Sequence, residues 1–187
     1  MKIYKIARCL PLDEIPTYRG ESLVDLSLDY DTIVELDEQY HFKRKLGSGE
    51  FGVAYETFDG KVVKITTDEK EFETAEYLVG DNWQKYAPFA RVYKARPLYG
   101  GLYLIIKDLV RPLDEDEQAL WLSFLDEYES CTENIEGDHP DMLKLEKFEE
   151  YIYDVQNYGF ADVLNPGNIG WDKDGNLVSF DPRQIER

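Results

Sequence analysis

The hydrophobic and polar positions of the chain predict a strand-rich first half and a helical second half. Five segments alternate apolar and polar side chains with the two-residue period of β-strands: residues 41–46, 53–58, 61–66, 91–97 and 101–109. Asp59-Gly60 predicts a two-residue hairpin turn, and Tyr99-Gly100-Gly101 predicts the turn of a second hairpin. Successive hairpins of this kind make an antiparallel sheet.

Helical periodicity begins after the third of these strands. Residues 68–79 carry an apolar stripe, with Asp68 as the predicted N-cap and Gly80 as the stop. The other predicted elements are an N-terminal strand, a short helix near residues 31–39, helices over 115–130 and 142–158, and a hairpin that pairs 168–171 with 176–180. Strands followed by helices are typical of the α+β class, which we predict for this chain.

The composition indicates a folded protein with a strong negative charge. Of the 187 residues, 43% are hydrophobic, which is enough for a core, and the formal net charge at pH 7 is −18. This charge argues against nucleic-acid binding by phosphate neutralisation, which needs clustered lysine and arginine. It is compatible with solubility, with divalent cations, or with a basic protein partner that a DNA mimic would sequester.

Two further features concern location. No apolar run approaches the roughly 18 residues of a membrane span, and the N-terminus lacks the apolar region of a signal peptide. Cys9 and Cys131 lie far apart without metal-type spacing, as expected of free thiols in a reducing compartment. We therefore expect a cytoplasmic protein that does not contact a membrane.

A glycine-rich segment follows the first strand of the predicted sheet. Its sequence is Gly47-Ser48-Gly49-Glu50-Phe51-Gly52. In dinucleotide-binding folds such a motif joins a strand to a helix, whereas here a second strand follows it. Glycines between two strands let backbone N–H groups approach phosphate oxygens closely, and Phe51 at the tip can cover them. A plain glycine hairpin is the alternative interpretation.

Lys64 lies in the third predicted strand, within Lys61-Val62-Val63-Lys64-Ile65. Alternation places its side chain beside Val62 on one face of the strand. A buried ammonium group needs a counter-charge. Contact with the α- and β-phosphates of a nucleotide would supply that charge.

These two features resemble the protein-kinase superfamily. Residues 46–55 are similar to its glycine-rich loop, and Val62-Val63-Lys64-Ile65 is similar to its Val-Ala-Ile-Lys strand. The resemblance implies a two-lobe, protein-kinase-like fold that binds ATP through a set of loop and strand residues: Gly47, Ser48, Gly49, Phe51, Gly52 and Lys64. It also implies that backbone groups of residues 107–109, including Asp108 and Leu109, meet the adenine.

The superfamily pairs this lysine with a glutamate on the following helix. The candidates here are Glu71, Glu73 and Glu76. Glu71 falls on the apolar stripe of the helix, four residues before Ala75. Glu76 flanks the stripe, and Glu73 points away from it. We expect Glu71 or Glu76 to pair with Lys64, and a solvated run of charges is the remaining interpretation.

The C-terminal part carries a second match to the superfamily. Residues 159–170 resemble its catalytic loop, and their core, Leu164-Asn165-Pro166-Gly167-Asn168, is closest to the version of small-molecule kinases. Ser179-Phe180-Asp181-Pro182 resembles the segment with its second metal ligand. The resemblance implies that Asn168 and Asp181 bind Mg²⁺. These two residues flank one predicted hairpin and are 13 positions apart, the usual separation in the superfamily.

The catalytic base departs from the pattern. The superfamily places an aspartate five positions before the metal-binding asparagine, where this chain has Val163, and Asp162 lies one position earlier. Either a one-residue insertion still presents Asp162 as the base that orients the acceptor hydroxyl, or the base is lost and the protein is a pseudokinase. Phe160 stands where a histidine or tyrosine is usual, and Asn165 could orient a hydroxyl but not accept its proton.

The resemblance covers roughly residues 42–181. It implies an N-terminal extension packed on the N-lobe (1–40), a kinase-like N-lobe (41–111) and a reduced helical C-lobe (112–187). Because the sequence ends six residues after Asp181, we expect the platform that docks peptide substrates to be missing. In this respect the chain resembles small kinase-like proteins of bacteria and their phages.

The predicted function is Mg·ATP-dependent transfer of a γ-phosphate to a hydroxyl of a protein or small molecule. The predicted catalytic residues are Asp162, Lys64 and Asp181. The alternative is a catalytically impaired pseudokinase that acts as an acidic binding or inhibitor protein, encoded by a phage and directed at its host. A metabolite phosphotransferase is the third possibility, which the Pro166-Gly167-Asn168 core favours.

Overall fold

The structure is a computed structural model of the chain, and it describes residues 30–80, 88–130, 142–155 and 160–184. Several sequence-based predictions fall elsewhere. The N-terminal strand, Cys9, Cys131 and residues 156–158 of the last predicted helix lie outside the described residues.

A five-stranded antiparallel sheet forms most of the first half of the described chain. Its strands are β1 (Phe42–Gly49), β2 (Gly52–Thr57), β3 (Lys61–Thr66), β4 (Val92–Pro97) and β5 (Tyr103–Asp108). They lie in the order β1-β2-β3-β5-β4, and each neighbouring pair is antiparallel. All five correspond to strands that the alternation of apolar residues predicts.

The turn between β2 and β3 differs from its prediction. Three residues, Phe58, Asp59 and Gly60, separate the strands instead of two. The Gly60 N–H donates to the Thr57 carbonyl at 3.1 Å, and Gly60 has a left-handed φ of 77°. The Thr57 hydroxyl also donates to the Asp59 carboxylate at 2.5 Å. The Asp-Gly pair therefore closes a longer loop, with glycine at the position that needs a positive φ.

Four helices complete the main elements of the described ranges. They are α1 (Tyr30–Tyr40), α2 (Glu69–Leu78), α3 (Glu115–Ser130) and α4 (Met142–Val155). The predicted cap of α2 forms, because the Asp68 side chain accepts the backbone N–H groups of Lys70 and Glu71. Gly80 follows the helix with a φ of 77°. The α+β prediction is confirmed, with the sheet and the helices in the order that the kinase resemblance implies.

The central strands of the main sheet, β2, β3 and β5, are buried on both faces, whereas the edge strands β1 and β4 are mostly exposed. On its outer face, α1 contributes Leu36 to a cluster with strand residues that include Phe42, Tyr55, Ile65 and Leu104. On its inner face, Ile105 joins residues of α2, α3 and α4 in one continuous core: Ala75, Leu78, Trp121, Phe124, Phe148 and Ile152. Because this core spans both halves, packing fixes α2 and the inner face of the sheet against the helical half.

Short strands near the C-terminus complete the fold. The predicted hairpin forms from β8 (Ile169–Trp171) and β9 (Leu177–Ser179), and β6 (Arg111–Pro112) pairs with β8. A second pair joins β7 (Phe160–Ala161) to β10 (Arg183–Gln184). The sequence analysis did not predict β6, β7 or β10, because a two-residue strand is too short to show a period.

Within residues 30–80, 88–130, 142–155 and 160–184, no helix has the length and apolar character needed to cross a membrane.

Glu117 connects four elements of the second half. Both terminal guanidinium nitrogens of Arg111 donate to it, at 2.8 and 2.9 Å, and Trp171 Nε1 donates at 3.1 Å. Lys144 Nζ lies 3.6 Å from the same carboxylate. With Asp114 it forms a capping box, since each side chain accepts the other's backbone N–H. Glu117 therefore joins α3 to β6, β8 and α4.

Replacing Glu117 with glutamine is expected to lower the free energy of unfolding by about 2 kcal/mol at about pH 7. Hydrogen bonds from Arg111 lower the pKa of the Glu117 carboxyl from 4.5 to about 2. A pKa depressed by folding adds stability above the unfolded value of 4.5, and that stability is lost as the pH falls towards 2. Urea unfolding of both proteins at about pH 7 and about pH 3 measures the effect. If the two proteins differed in free energy of unfolding by the same amount at both pH values, the result would contradict this prediction.

Candidate functional site

The β1–β2 hairpin carries the predicted glycine-rich loop at its tip. Gly49 of β1 lies opposite Gly52 of β2, and Phe51 is in the turn between them. The Phe51 carbonyl accepts the Thr67 backbone N–H at 2.7 Å. The tip is therefore held against the end of β3, at the point where the chain enters α2.

The glycines of this loop have different structural roles. A Cβ at Gly52 would lie 2.4 Å from the Ile65 carbonyl oxygen, so the close approach of β2 to β3 requires glycine there. A Cβ at Gly47 or Gly49 would meet nothing within 4 Å. Gly47, Ser48 and Gly49 are also exposed. The described residues thus leave open space beside this part of the loop, where phosphate oxygens could approach.

Lys64 of β3 and Glu71 of α2 form an ion pair. Lys64 Nζ lies 2.5 Å from Glu71 Oε1, and Glu71 is only 7% exposed. Glu73 and Glu76 are exposed on the same helix. Of the two glutamates expected from the sequence, Glu71 is the one that contacts Lys64, and the contact fixes α2 to the sheet.

Asp181 follows β9 and contacts the same ammonium group. Lys64 Nζ donates to Asp181 Oδ1 at 3.0 Å and to Oδ2 at 3.2 Å. The two residues are 117 positions apart in the chain. This contact therefore ties the main sheet to the C-terminal hairpin.

Lys107, near the end of β5, adds a second ammonium group; only the backbone of this residue was predicted to belong to the site, not its side chain. It is 8% exposed. Its Nζ donates a hydrogen bond to the Phe180 carbonyl oxygen and lies 3.7 Å from Asp181 Oδ1. The four side chains Lys64, Glu71, Lys107 and Asp181, two cations and two anions, are called the charge cluster below.

Burial and mutual attraction set the pKa values of the charge cluster. Burial alone would raise the pKa of Asp181, but Lys107 and Lys64 outweigh it and hold this pKa at about 2. Burial alone would lower the pKa of Lys64, but Glu71 and Asp181 outweigh it and raise this pKa. Burial raises the pKa of Glu71 and lowers the pKa of Lys107. Lys64 and Asp181 are therefore both charged at neutral pH.

Residues 162–168 of the predicted catalytic loop lie between β7 and β8. Asp162 is exposed and has a left-handed φ of 61°. Val163, at the position usual for the base, is buried in the core with residues of α3 and α4. The acid that faces solvent in this loop is therefore Asp162.

Two core aromatic residues fix the backbone of this loop. Trp121 Nε1 of α3 donates to the Leu164 carbonyl at 3.0 Å, and the Tyr151 hydroxyl of α4 donates to the Val163 carbonyl at 2.6 Å. Asn165 Oδ1 accepts the Gly167 N–H at 2.9 Å and caps the short 3-10 turn that follows. The side chain of Phe160, which departs from the kinase pattern, lies outside the description.

Asn168 is placed near both Asp162 and Asp181. Its side-chain Nδ2 lies 3.5 Å from the Asp162 backbone carbonyl oxygen, and its backbone carbonyl accepts the Phe180 N–H at 2.9 Å. The register of the hairpin explains the second contact, because the neighbouring residues Ile169 and Ser179 are paired. The two predicted metal ligands therefore lie at adjacent ends of β8 and β9.

The donor types of Asn168 and Asp181 suit Mg²⁺, which takes amide, carboxylate and phosphate oxygens. Within the described ranges, no group of three histidine, cysteine, aspartate or glutamate side chains is arranged to hold a metal ion. A cation at this position would thus depend on these two side chains together with oxygens of a bound nucleotide. It would also share Asp181 with two ammonium groups.

Asp108 and Leu109, the residues predicted to meet the adenine, follow Lys107 directly. The Asp108 N–H donates to the Arg91 carbonyl at 2.9 Å, and the Asp108 carboxylate accepts the Tyr93 hydroxyl at 2.7 Å. Leu109 is half-buried in the link between β5 and β6. These residues adjoin the charge cluster, but the N–H group of Asp108 is already bonded.

Two cavities differ in their relation to these residues. A small one of about 20 Å³, room for about one water molecule, is bounded by Glu71, Lys107 and Asp181. A wider one of about 570 Å³ lies on the outer face of the sheet, beside Tyr40 and Tyr93. None of the predicted site residues lines the wider cavity.

The chain matches no protein-family model, and no curated protein matches it. It is similar to two solved structures of a thermostable mutant of aminoglycoside phosphotransferase APH(4)-Ia. The ternary complex with ADP and hygromycin B is 16% identical, with 51% of this chain and 36% of that chain covered and a TM-score of 0.37. The apo form is 11% identical, with 73% and 65% covered and a TM-score of 0.39. The chain spans less than two thirds of either structure.

Proposed function

We propose that the chain binds a nucleoside triphosphate between the β1–β2 hairpin and the catalytic loop, and transfers its γ-phosphate to an acceptor hydroxyl. The observation that carries the proposal is the contact of Lys64 with both Glu71 and Asp181. These three residues come from separate elements. Gly47 of β1 and Lys64 of β3 both pair with Ala54 of β2, and Asp181 follows Phe180, whose N–H donates to the Asn168 carbonyl at the end of the loop that bears Asp162. A buried ion pair adds little net stability, so its assembly here is better explained by a ligand.

Each residue has a distinct proposed role. Lys64, held by Glu71, contacts the phosphates, and the open backbone at Gly47 and Gly49 admits them. Asn168 and Asp181 would hold Mg²⁺, which neutralises charge on the phosphate oxygens when it is bound.

Transfer then requires a base at the acceptor. The acceptor oxygen forms a bond to the γ-phosphorus, and the bond from that phosphorus to the β–γ bridging oxygen breaks, which leaves a nucleoside diphosphate. Asp162 is the residue of the loop whose exposed carboxylate can take the hydroxyl proton. Lys64 places the phosphates, so most of the rate enhancement comes from positioning.

A second candidate function is nucleotide binding without turnover, as in a pseudokinase that engages a basic partner. The specific observation in its favour is that both oxygens of Asp181 already accept hydrogen bonds from Lys64, with Lys107 nearby. The net charge of −18 is consistent with a basic partner.

Replacing Asp162 with asparagine is expected to reduce phosphoryl transfer about 100-fold or more. Asparagine keeps the size of the side chain and tolerates the left-handed backbone of Asp162, so the fold should be retained. Transfer is measured with γ-labelled ATP, to water, to the chain itself and to a panel of small hydroxyl and amine acceptors. Asp174→Asn, an exposed change in the β8–β9 turn, is the matched control and should leave transfer unchanged.

The outcomes separate the candidate functions. Transfer that persists undiminished in Asp162→Asn would show that the base is misassigned. Binding of ATP with no transfer in the unmodified protein would instead favour the second candidate.

A further inference from the structure

Lys107 is a buried cation that the proposed roles above do not use. Its side chain is 10% exposed, and it projects from β5 on the same face as Ile105, two residues earlier, which is part of the core. Burying an ammonium group among apolar residues is costly unless a specific partner stabilises it. The contacts that Lys107 makes are to Phe180 and Asp181, in the segment that carries the second metal ligand.

Lys107 and Lys64 together balance the charge of the site. The charge cluster contains two ammonium and two carboxylate groups, so its net charge is zero. With Lys64 alone, one carboxylate would be uncompensated and would repel the phosphates of a nucleotide. A divalent cation between Asp181 and the phosphates is the usual means of removing such repulsion. Here the second ammonium group removes it before any ligand binds.

The same geometry weakens the attraction of Asp181 for a divalent cation, although its oxygens are of the type that Mg²⁺ takes. Oδ1 of this carboxylate lies 3.0 Å from Lys64 Nζ and 3.7 Å from Lys107 Nζ. A magnesium ion binds an oxygen at roughly 2.0–2.1 Å, so it would have to lie close to two positive charges. In a partly buried site such repulsion is only weakly screened.

We propose that Lys107 substitutes for part of the charge of a divalent cation, so that the site binds a nucleoside triphosphate with little dependence on Mg²⁺. Lys107 acts through Asp181 and is therefore a positioning residue. The inference rests on the proposed nucleotide binding at this site.

The test compares ATP binding to the unmodified protein with Mg²⁺ present and with EDTA in its place, by isothermal titration calorimetry. The expected result is two dissociation constants that differ by no more than about threefold. Lys107→Met keeps an unbranched side chain of similar volume but removes the charge. In this variant the dissociation constant with EDTA is expected to exceed that with Mg²⁺ by about tenfold or more.

Lys94→Met is the matched control. Lys94 is exposed on the neighbouring strand β4, so its loss should leave the ratio of the two constants unchanged. If Lys107 had only a structural role, its replacement would lower the melting temperature without changing the ratio of the dissociation constants with EDTA and with Mg²⁺.

Each outcome has a distinct meaning. If the unmodified protein binds ATP only with Mg²⁺, the inference is overturned and the proposed function stands. If it binds ATP under neither condition, the proposed function fails as well. If Lys107→Met still binds equally well with EDTA, metal-independent binding has another cause and the assignment to Lys107 is wrong. Should this variant not fold, Lys107→Gln, which removes the charge but keeps a donor for the Phe180 carbonyl, takes its place in the same comparison.

Discussion

Substituting methionine for Lys64 is expected to lower the free energy of unfolding by about 3 kcal/mol and to abolish detectable ATP binding. The structural loss follows because Glu71 is buried, and removing its partner at 2.5 Å leaves an uncompensated carboxylate. Asp181 loses its two hydrogen bonds from the same ammonium group. The functional loss follows because Lys64 is the proposed phosphate ligand.

A double variant separates these two losses. Lys64→Met with Glu71→Leu replaces the ion pair by apolar side chains of similar size, so most of the stability should return. ATP binding should not return, because no ammonium group remains on β3 at the site. Urea unfolding and calorimetric titration with ATP measure the two properties independently.

The matched control is Lys61→Met on the same strand. Lys61 pairs with Asp59 at the surface, and this change should alter stability by no more than about 0.5 kcal/mol. Recovery of ATP binding in the double variant would mean that Lys64 contributes to the fold but not to nucleotide recognition.

Replacing Gly52 with alanine is expected to destabilise the protein by about 3 kcal/mol, whereas Gly49→Ala should change stability by no more than about 0.5 kcal/mol. At Gly52 the added methyl would lie 2.4 Å from a carbonyl oxygen of β3, and two paired strands would have to move apart. At Gly49 it would meet nothing within 4 Å.

Where both variants remain folded, Gly49→Ala should weaken ATP binding more than Gly52→Ala does. Gly49→Ala should weaken ATP binding about tenfold, because the methyl would occupy space proposed for phosphate oxygens. Thermal unfolding and calorimetry on the two variants provide the comparison. Unchanged ATP affinity in Gly49→Ala would remove this glycine from the proposed binding loop.

The sequence was a good guide wherever a segment was long enough to show a period. The five strands of the main sheet and the cap of α2 at Asp68 were predicted, because alternation and capping are local properties. The two-residue strands were not, since their pairing depends on contacts such as Gly170 against Pro112. Local patterns carry no information about such distant partners.

The site was only partly predictable for the same reason. Spacing left Glu71 and Glu76 as alternatives, and only packing of α2 places Glu71 on Lys64. The side chain of Lys107 was not predicted to belong to the site, because the residue lies near the end of an apolar strand. Its position two residues after Ile105 nevertheless puts it on the buried face. Which of Asp162 and Val163 faces solvent likewise depended on which side chain the core accepts.

The anchoring of the catalytic loop by Trp121 and Tyr151 has a consequence for how this protein can evolve. Both aromatic residues bind backbone carbonyls of the loop, and neither bond depends on which side chain the loop carries at that position. Exposed loop residues such as Leu164 can therefore be exchanged while the path of the loop is kept. Under the proposed function, selection for a new acceptor can act on the loop without first having to rebuild the scaffold beneath it.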